Sequence, residues 1–275
     1  MTATTLTPDA ISYVCTIVRD RSAIELEASK AYLIEARLGP LAKHQGCASI
    51  MDYIQRVRVK REPDQERRLV EALTTNETSF FRDIHPFNVL RSTLLPEFRT
   101  LRATQKTLNI WSAACSTGQE LYSIAMTIRE HFPEFANWSV KLVGTDLSEE
   151  VLNRARAGRF SQVEVNRGLA APLLVRYFER DGMNWNLRPE LKAMASFTKL
   201  NLIESWPPLP RMDIVFLRNV LIYFSPETKK EILRTVRQVM APQAVLFLGA
   251  AETTMGLDTS FERVEAQNSV FYRIK

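Results

Sequence analysis

A run of small residues followed by an acid is the part of this 275-residue sequence best suited to bind a ligand. The apolar residues Leu108, Ile110 and Trp111 lead into the small-residue stretch 112–118, and helically spaced apolar residues follow Glu120. Small side chains let a ligand approach the backbone, and the unpaired amide groups at a helix start favour its negative end. A strand, a tight turn and a helix in this order predict the opening of a nucleotide-type βαβ unit.

Asp146 is the second candidate binding residue. It follows the apolar strand predicted over 140–143, where a carboxylate can accept hydrogen bonds from both hydroxyls of a ribose. The alternative is that Asp146 caps the helix that begins near Ser148, a common use of aspartate. The G-x-G-x-x-G pattern of dinucleotide-binding enzymes is absent, and nothing else in the sequence obviously cradles a pyrophosphate. A nucleoside without phosphates, S-adenosylmethionine, therefore suits the pattern better.

The residues before this region predict a small helical bundle. Four helical patterns run up to about residue 73, and Pro40 is expected to kink or divide the second of them. Ser49 is expected to cap the third helix. The most basic short run of the bundle contains Arg56, Arg58 and Lys60. It indicates either a binding surface or simply a solvated helix face.

The residues after about 107 alternate between strand and helix patterns. This alternation predicts a mostly parallel sheet with ligands at the carboxyl ends of its strands. Residues 159–195 are polar and interrupt the alternation, so we interpret them as an insertion with short strands. Strands are then expected over 197–202, 213–217, 244–248 and 269–274, with a helix capped by Ser225 between the second and third of these.

Composition excludes several classes of protein. The chain has no run of 18 apolar residues, and its first residues lack the basic and apolar regions of a signal peptide, so we expect a cytoplasmic protein without membrane insertion. Three distant cysteines, without metal-ligand spacing, indicate free thiols, and Cys115 is interpreted as a small turn residue rather than a nucleophile. A net charge of +5 suggests an acidic partner without specifying which.

Five motifs together closely resemble the CheR family, the chemotaxis glutamate O-methyltransferases. They are N-E-T-S-F-F-R (76–82), W-S-A-A-C-S-T-G-Q-E (111–120), G-T-D-L (144–147), L-N-L (200–202) and R-N-V-L-I-Y-F (218–224). The resemblance covers nearly the whole chain. It departs from the family at Leu121, where the family commonly shows proline, and this change is expected to alter only the entry into the helix.

The resemblance implies an α/β fold: a Rossmann-like S-adenosylmethionine methyltransferase domain with a small insertion subdomain, preceded by an all-α N-terminal domain. The expected boundaries are 1–75 for the helical domain, 76–106 for a linker that carries the N-E-T-x-F-F-R motif, and 107–275 for the methyltransferase domain. The insertion at 159–195 would form a small β-subdomain. The helical domain would dock the receptor, with Arg56, Arg58 and Lys60 as contact residues.

The resemblance also implies the cofactor contacts, which are Asn76, Thr78, Arg82, Glu120, Asp146, Asn201, Leu202, Arg218 and Asn219. Asp146 suits the ribose, and Glu120 can pair with the amino group of the ligand. Arg82 can pair with the cofactor carboxylate or steer the incoming glutamate, and is expected to be catalytic in that sense. Tyr223 is the candidate for orienting the acceptor; the alternative is a tyrosine of the core.

The implied reaction is methyl transfer from S-adenosylmethionine to glutamate carboxylates on the cytoplasmic helices of chemoreceptors, with S-adenosylhomocysteine as product. A carboxylate with a pKa of about 4.3 is already ionised at neutral pH, so the reaction needs no general base, and no metal is expected. The alternatives are a cofactor-binding signalling adaptor, or a methyltransferase for another acidic or nucleic-acid substrate. We expect a monomer that does not bind nucleic acid.

Some family members hold a peptide from the receptor C-terminus on a glycine-rich loop of the β-subdomain. The corresponding turn here, residues 180–186, is compact and offers one glycine, Gly182. We therefore expect this protein to need no such tether. The contrary interpretation is that Trp185 forms a pocket wall for the same peptide.

Overall fold

The chain divides into two units, each with buried apolar residues of its own. A computed structural model describes residues 6–275, apart from the side chain of Ala28. The helical unit comprises the residues up to Thr75 together with Tyr223–Thr228, and the sheet unit comprises Asn76–Ile222 and Lys229–Lys275.

The helical unit contains the predicted helices. They are α1 (Pro8–Ser22), α2 (Ala31–His44, preceded by a 3₁₀ turn, Ala28–Lys30), α3 (Ile50–Lys60) and α4 (Pro63–Leu73). The Ser49 side chain accepts a hydrogen bond from the Asp52 amide at 3.1 Å, so the predicted cap of α3 is confirmed. Pro40 lies inside α2 without dividing it.

The sheet unit is built on a seven-stranded sheet with the order β6-β2-β1-β7-β8-β10-β9. The strands are β1 (Thr107–Ala113), β2 (Ser139–Asp146), β6 (Ala195–Lys199), β7 (Met212–Leu217), β8 (Met240–Leu248), β9 (Phe261–Ala266) and β10 (Ser269–Ile274). The strands from β6 to β8 pair in parallel, and β10 pairs antiparallel with both β8 and β9. The predicted parallel sheet is therefore confirmed, although β9 was not predicted.

The helices of this unit cover the sheet or lead into it. They are α5 (His85–Val89), a π-helical stretch (Leu90–Leu94), α6 (Leu95–Leu101), α7 (Gln119–His131), a 3₁₀ turn (Pro133–Asn137), α8 (Glu149–Ala157), a 3₁₀ turn (Leu221–Tyr223, its last residue grouped with the helical unit) and α12 (Pro226–Val239, in this unit from Lys229). No helix within residues 6–275 is long and apolar enough to cross a membrane. Strand β1 lies between β2 and β7, and in sheets of this kind the order of strands reverses at such a point, where ligands bind at the carboxyl ends.

The insertion forms a second, three-stranded antiparallel sheet. Its strands are β3 (Arg159–Ser161), β4 (Phe178–Asp181) and β5 (Asn184–Leu187), in the order β3-β5-β4. The predicted short strands are confirmed, but three short helices that were not predicted accompany them: α9 (Gln162–Asn166), α10 (Ala171–Tyr177) and α11 (Pro189–Lys192). The rings of Phe160 and Phe178 contact Phe80 edge-on, at centroid distances of 5.0 and 5.7 Å. The insertion therefore packs directly against the segment that carries N-E-T-S-F-F-R.

Candidate active site

The loop between β1 and α7 is a tight turn that contains left-handed residues. Ala114 has a φ of +56°, Ser116 of +51° and Gly118 of +91°. A Cβ at Gly118 would lie 3.0 Å from the Cβ of Ala155, so the helix α8 leaves room for little but glycine there. Ser116 also donates its hydroxyl to the carbonyl of Asn76 at 2.8 Å, which ties the N-E-T-S-F-F-R segment to this loop.

Asp146, at the end of β2, holds the turn from the neighbouring strand. Its Oδ2 accepts the amide of Ser116 at 2.9 Å, and its Oδ1 accepts the amide of Ser148 at 3.0 Å. The residue is 8% exposed. Ser148, not Asp146, is the residue that precedes the first turn of α8, so the alternative of a helix cap does not describe Asp146.

A buried arginine links the ends of β1 and β7. The guanidinium of Arg218 donates to Glu120 Oε2 and to Asp83 Oδ2, both at 2.8 Å, and to the carbonyl of Arg82 at 3.0 Å. Glu120 accepts a further bond from the hydroxyl of Ser112 at 2.8 Å. The Arg218 side chain is only 2% exposed, and its Nε has no hydrogen-bond partner among the described residues. Two carboxylates against one guanidinium leave this cluster with a net negative charge, which favours a cationic ligand.

Arg82 differs from Arg218 in its partners. It is half-buried and donates from Nη1 to the carbonyl of Glu77 at 3.0 Å, and within residues 6–275 no carboxylate lies within ion-pair distance of it. The residues on either side, Phe81 and Asp83, have left-handed φ values of +48° and +58°. The Phe81 amide donates to Ser123 on α7 at 2.9 Å, which anchors this irregular segment. Arg82 is therefore held in place while its charge remains available to an anion.

The comparisons with known proteins place this architecture in one family. Residues 9–74 match the model of the CheR methyltransferase all-alpha domain, and residues 76–270 match that of the CheR methyltransferase SAM binding domain. The chain belongs to the CheR methyltransferase family. It is 40% identical to chemotaxis protein methyltransferase 1 of Pseudomonas aeruginosa over 92% of this chain and 93% of that protein. It is also 37% identical to chemotaxis protein methyltransferase 1 of Vibrio cholerae, over 100% of both chains.

Membership in the CheR family makes this chain a methyltransferase that uses S-adenosylmethionine. The residues present fit that cofactor. Asp146 offers a buried acceptor for the ribose, and the acidic cluster around Arg218 suits a ligand that carries a sulfonium and an ammonium group. Within residues 6–275, no group of three or more His, Cys, Asp or Glu side chains is placed to hold a metal ion.

The structure also places Asn201 and Leu202 near the end of β2. Both are half-buried in the turn after β6, and the amide of the preceding Leu200 donates to the carbonyl of Asp146 at 2.9 Å. The Asn201 side chain accepts the amide of Ile203 at 3.3 Å, which fixes its orientation. The adenine site beside Asp146 stays a prediction. Thr78, from the N-E-T-S-F-F-R segment, is half-buried as well.

Four predicted functional residues belong to the helical unit. Tyr223 lies in a short 3₁₀ turn, and its carbonyl accepts the amide of Glu25 at 2.9 Å. Arg58 pairs with Asp9 at 2.5 Å, whereas Lys60 lies 3.7 Å from a carboxylate oxygen of Glu62. Their roles in orienting and docking the acceptor stay predictions. The same applies to Arg56, the fourth predicted residue of this unit, whose guanidinium donates to the backbone carbonyl and the side-chain oxygen of Gln45.

Cys115 is buried in the turn and does not resemble a nucleophile. Burial raises the pKa of its thiol well above the usual range, and the nearby carboxylates of Asp146 and Glu120 raise it further. The protonated thiol is the unreactive form. Its interpretation as a small turn residue agrees with this environment.

Sequence reasoning missed Ser112, Asp83 and Glu252. Ser112 lies within the motif 111–120 and Asp83 directly follows the motif 76–82, so attention to every polar residue in and next to the motifs could have found them. Glu252 follows β8, the parallel strand beside β7, and its carboxylate accepts the backbone amide of Asn219 at 2.8 Å. A search for acids after the carboxyl end of every parallel strand could have found it.

Proposed function

We propose that this protein transfers the methyl group of S-adenosylmethionine to glutamate side chains of chemoreceptors, and so forms glutamate methyl esters. The observation that carries the proposal is Arg82, a guanidinium without a carboxylate partner among the described residues, held beside the acidic cluster of Arg218. An acceptor carboxylate has reason to bind at such a cation. The relatives named as chemotaxis methyltransferases support the proposal that this acceptor carboxylate belongs to a chemoreceptor.

The residues of the site divide the work of this reaction. S-adenosylmethionine supplies a methyl group on a sulfonium, whose sulfur keeps the electrons of the broken C–S bond and leaves as the neutral thioether of S-adenosylhomocysteine. Asp146 and the turn at Ser116 hold the nucleoside, and Glu120 holds the ammonium group. Arg82 aligns a carboxylate, either that of the acceptor or that of the cofactor. No side chain has to remove a proton, because a glutamate is ionised at neutral pH. Catalysis therefore rests on alignment and on exclusion of water.

The helical unit is proposed to meet the receptor helices. Arg56 is the strongest of the three predicted docking residues, because no carboxylate lies within ion-pair distance of it in the part of the chain that the structure describes. Arg58 already has a carboxylate partner. Tyr223 is proposed to orient the acceptor.

The test uses S-adenosylmethionine labelled in its methyl group and membranes rich in chemoreceptor. We expect label on the receptor that mild base releases as methanol, since esters hydrolyse under these conditions. Arg82→Ala is expected to lower the rate by about 100-fold, the order of losing one charge-assisted contact in the transition state. Arg91→Ala, at an exposed arginine of the π-helical stretch, is the matched control and should behave as wild type.

Label that survives alkali would refute ester formation. Label on nucleic acid with a steep dependence on salt would instead favour the alternative substrate. Cofactor binding without transfer to any receptor would favour a signalling adaptor.

A further inference from the structure

Glu252 joins the loops that follow two neighbouring strands. Its Oε2 accepts the amides of Asn219, after β7, and Gly249, after β8, at 2.8 and 2.6 Å. Its Oε1 accepts the amide of Ile222 at 3.2 Å. Bonds from backbone amides to an ionised carboxylate are stronger than those between neutral groups. Glu252 therefore holds both ends of the segment 219–222, which belongs to the R-N-V-L-I-Y-F motif.

Asn219 needs such support because its backbone is left-handed, with a φ of +58°. L-residues seldom adopt this conformation, although asparagine tolerates it better than most. The bond to Glu252 fixes the peptide unit on one side of this residue. This peptide unit joins Asn219 to Arg218, whose side chain is anchored by Glu120 and Asp83.

Gly249 gives the two loops room to approach each other. A Cβ on Gly249 would lie 2.7 Å from Nδ2 of Asn219 and 2.7 Å from Oε2 of Glu252. The amide side chain of Asn219 thus rests on the backbone of the next loop, and its direction depends on that contact. A cavity of about 490 Å³, lined in part by Arg218, Gly249 and Glu252, lies beside them. The loop would have space to relax into if the bonds to Glu252 were lost.

We propose that Glu252 is a positioning residue for the cofactor. It holds Asn219 in the left-handed conformation and aims its side chain at S-adenosylmethionine. This inference rests on the proposed assignment of Asn219 to the cofactor, and does not depend on the identity of the methyl acceptor.

The test measures the affinity of the full-length protein for S-adenosylhomocysteine by calorimetry. Glu252→Gln keeps the size of the side chain but turns one acceptor into a donor, and we expect the Kd to rise about tenfold. The matched control is Asp258→Asn. Asp258 also accepts a loop amide, that of Ser260 at 2.9 Å, and contacts Arg237 in the same unit, but it has no bond to the motif. The Kd of the Asp258→Asn variant should match that of the wild type even if its Tm falls.

A double-mutant cycle separates positioning from general stability. Asn219→Gly removes the side chain and accepts a positive φ, so adding Glu252→Gln to it should change the Kd by less than about twofold. If the fold-changes in Kd of the two single variants multiply in the double variant, the proposal is wrong. It is also wrong if Glu252→Gln lowers the Tm and leaves the Kd unchanged. If Glu252→Gln does not fold, Glu252→Asp replaces it, since it keeps the charge but cannot reach all three amides; the same outcomes apply.

The cycle also distinguishes the inference from the assumption beneath it. If Asn219→Gly binds as tightly as wild type, the assignment of Asn219 to the cofactor fails, and the role of Glu252 fails with it. If Asn219→Gly weakens binding while Glu252→Gln does not, only the role of Glu252 fails.

Discussion

Single carboxylates in this site hold loops and are also proposed to contact the ligand. Asp146 accepts the amides of Ser116 and Ser148, and Glu120 accepts Ser112 and Arg218. Each loop bond fixes the orientation of the carboxylate. Loss of such a residue should therefore weaken ligand binding and local structure together.

Asp146→Ala tests this double role. We expect the Kd for S-adenosylhomocysteine to rise by about 10- to 100-fold, because the ribose hydroxyls and two amides lose their acceptor. Calorimetry gives the affinity, and thermal unfolding gives the stability. The control is Asp213→Ala, another buried carboxylate, which accepts from Arg102 and from the amide of Asn109 at the opposite end of the sheet. It should lower the Tm and leave the Kd unchanged; unchanged affinity in Asp146→Ala would refute the ribose assignment.

The three cysteines should differ in reactivity. Burial raises the pKa of the Cys115 thiol, so its thiolate is scarce at about pH 8, where an ordinary thiol with a pKa of about 8.5 is partly ionised. We expect iodoacetamide to modify Cys47 and, more slowly, Cys15, whose pKa burial also raises. Peptide mass spectrometry should find Cys115 modified only after denaturation. Rapid modification of Cys115 in the native protein would contradict this environment.

At the scale of elements, the insertion and the N-E-T-S-F-F-R segment form a joint packing surface. Arg167 pairs with Glu77, and the next residue, Gly168, approaches the backbone of Phe80. A Cβ on Gly168 would lie 2.0 Å from the carbonyl oxygen of Phe80, and its φ is +89°. The insertion therefore depends on this glycine to reach the segment that carries Arg82.

Gly168→Ala should be far more destabilising than an ordinary substitution of a left-handed glycine. Gly182→Ala is the matched control, because Gly182 also has a positive φ, of +60°, but a Cβ there would meet nothing within 4 Å. We expect a loss of about 1 kcal/mol for Gly182→Ala and of about 3 kcal/mol or more for Gly168→Ala. Urea unfolding measures both. Equal losses of unfolding free energy in the two variants would show that the backbone of Phe80 shifts away from the new methyl group without a measurable cost.

The β4–β5 hairpin bears on the proposed absence of a receptor tether. Its turn is short, with Gly182 and Met183 between the strands, and the indole of Trp185 donates to Gln162 at 2.9 Å. We expect a pentapeptide from a receptor C-terminus not to bind, and a receptor truncated by that peptide to be methylated fully. Saturable binding at low micromolar concentration, lost in Trp185→Ala, would contradict this prediction and assign Trp185 to the peptide pocket.

At the scale of the whole molecule, the receptor helices that carry the acceptor are proposed to dock on the helical unit, whereas the cofactor is proposed to bind in the sheet unit. Arg56→Glu should then raise the receptor KM about fivefold, because a cation facing glutamate-bearing helices is reversed, and leave the Kd for S-adenosylhomocysteine unchanged. Arg129→Glu, at an exposed arginine near the end of α7, is the control for surface charge. Equal receptor kinetics in both variants would support the alternative of a solvated helix face.

The sequence by itself determined what depends on neighbouring residues. The strand–turn–helix around residues 112–120, the acid at the end of β2 and the serine cap of α3 follow from local spacing and local hydrogen bonds, and the structure contains all three. Only the tertiary structure decided which distant groups meet. Arg218 pairs with two acids about 100 residues away or more, and Glu252 supports Asn219 from 33 residues away. Such contacts arise because parallel strands bring their carboxyl ends to one edge of a sheet, and a sequence pattern does not specify which side chains meet there.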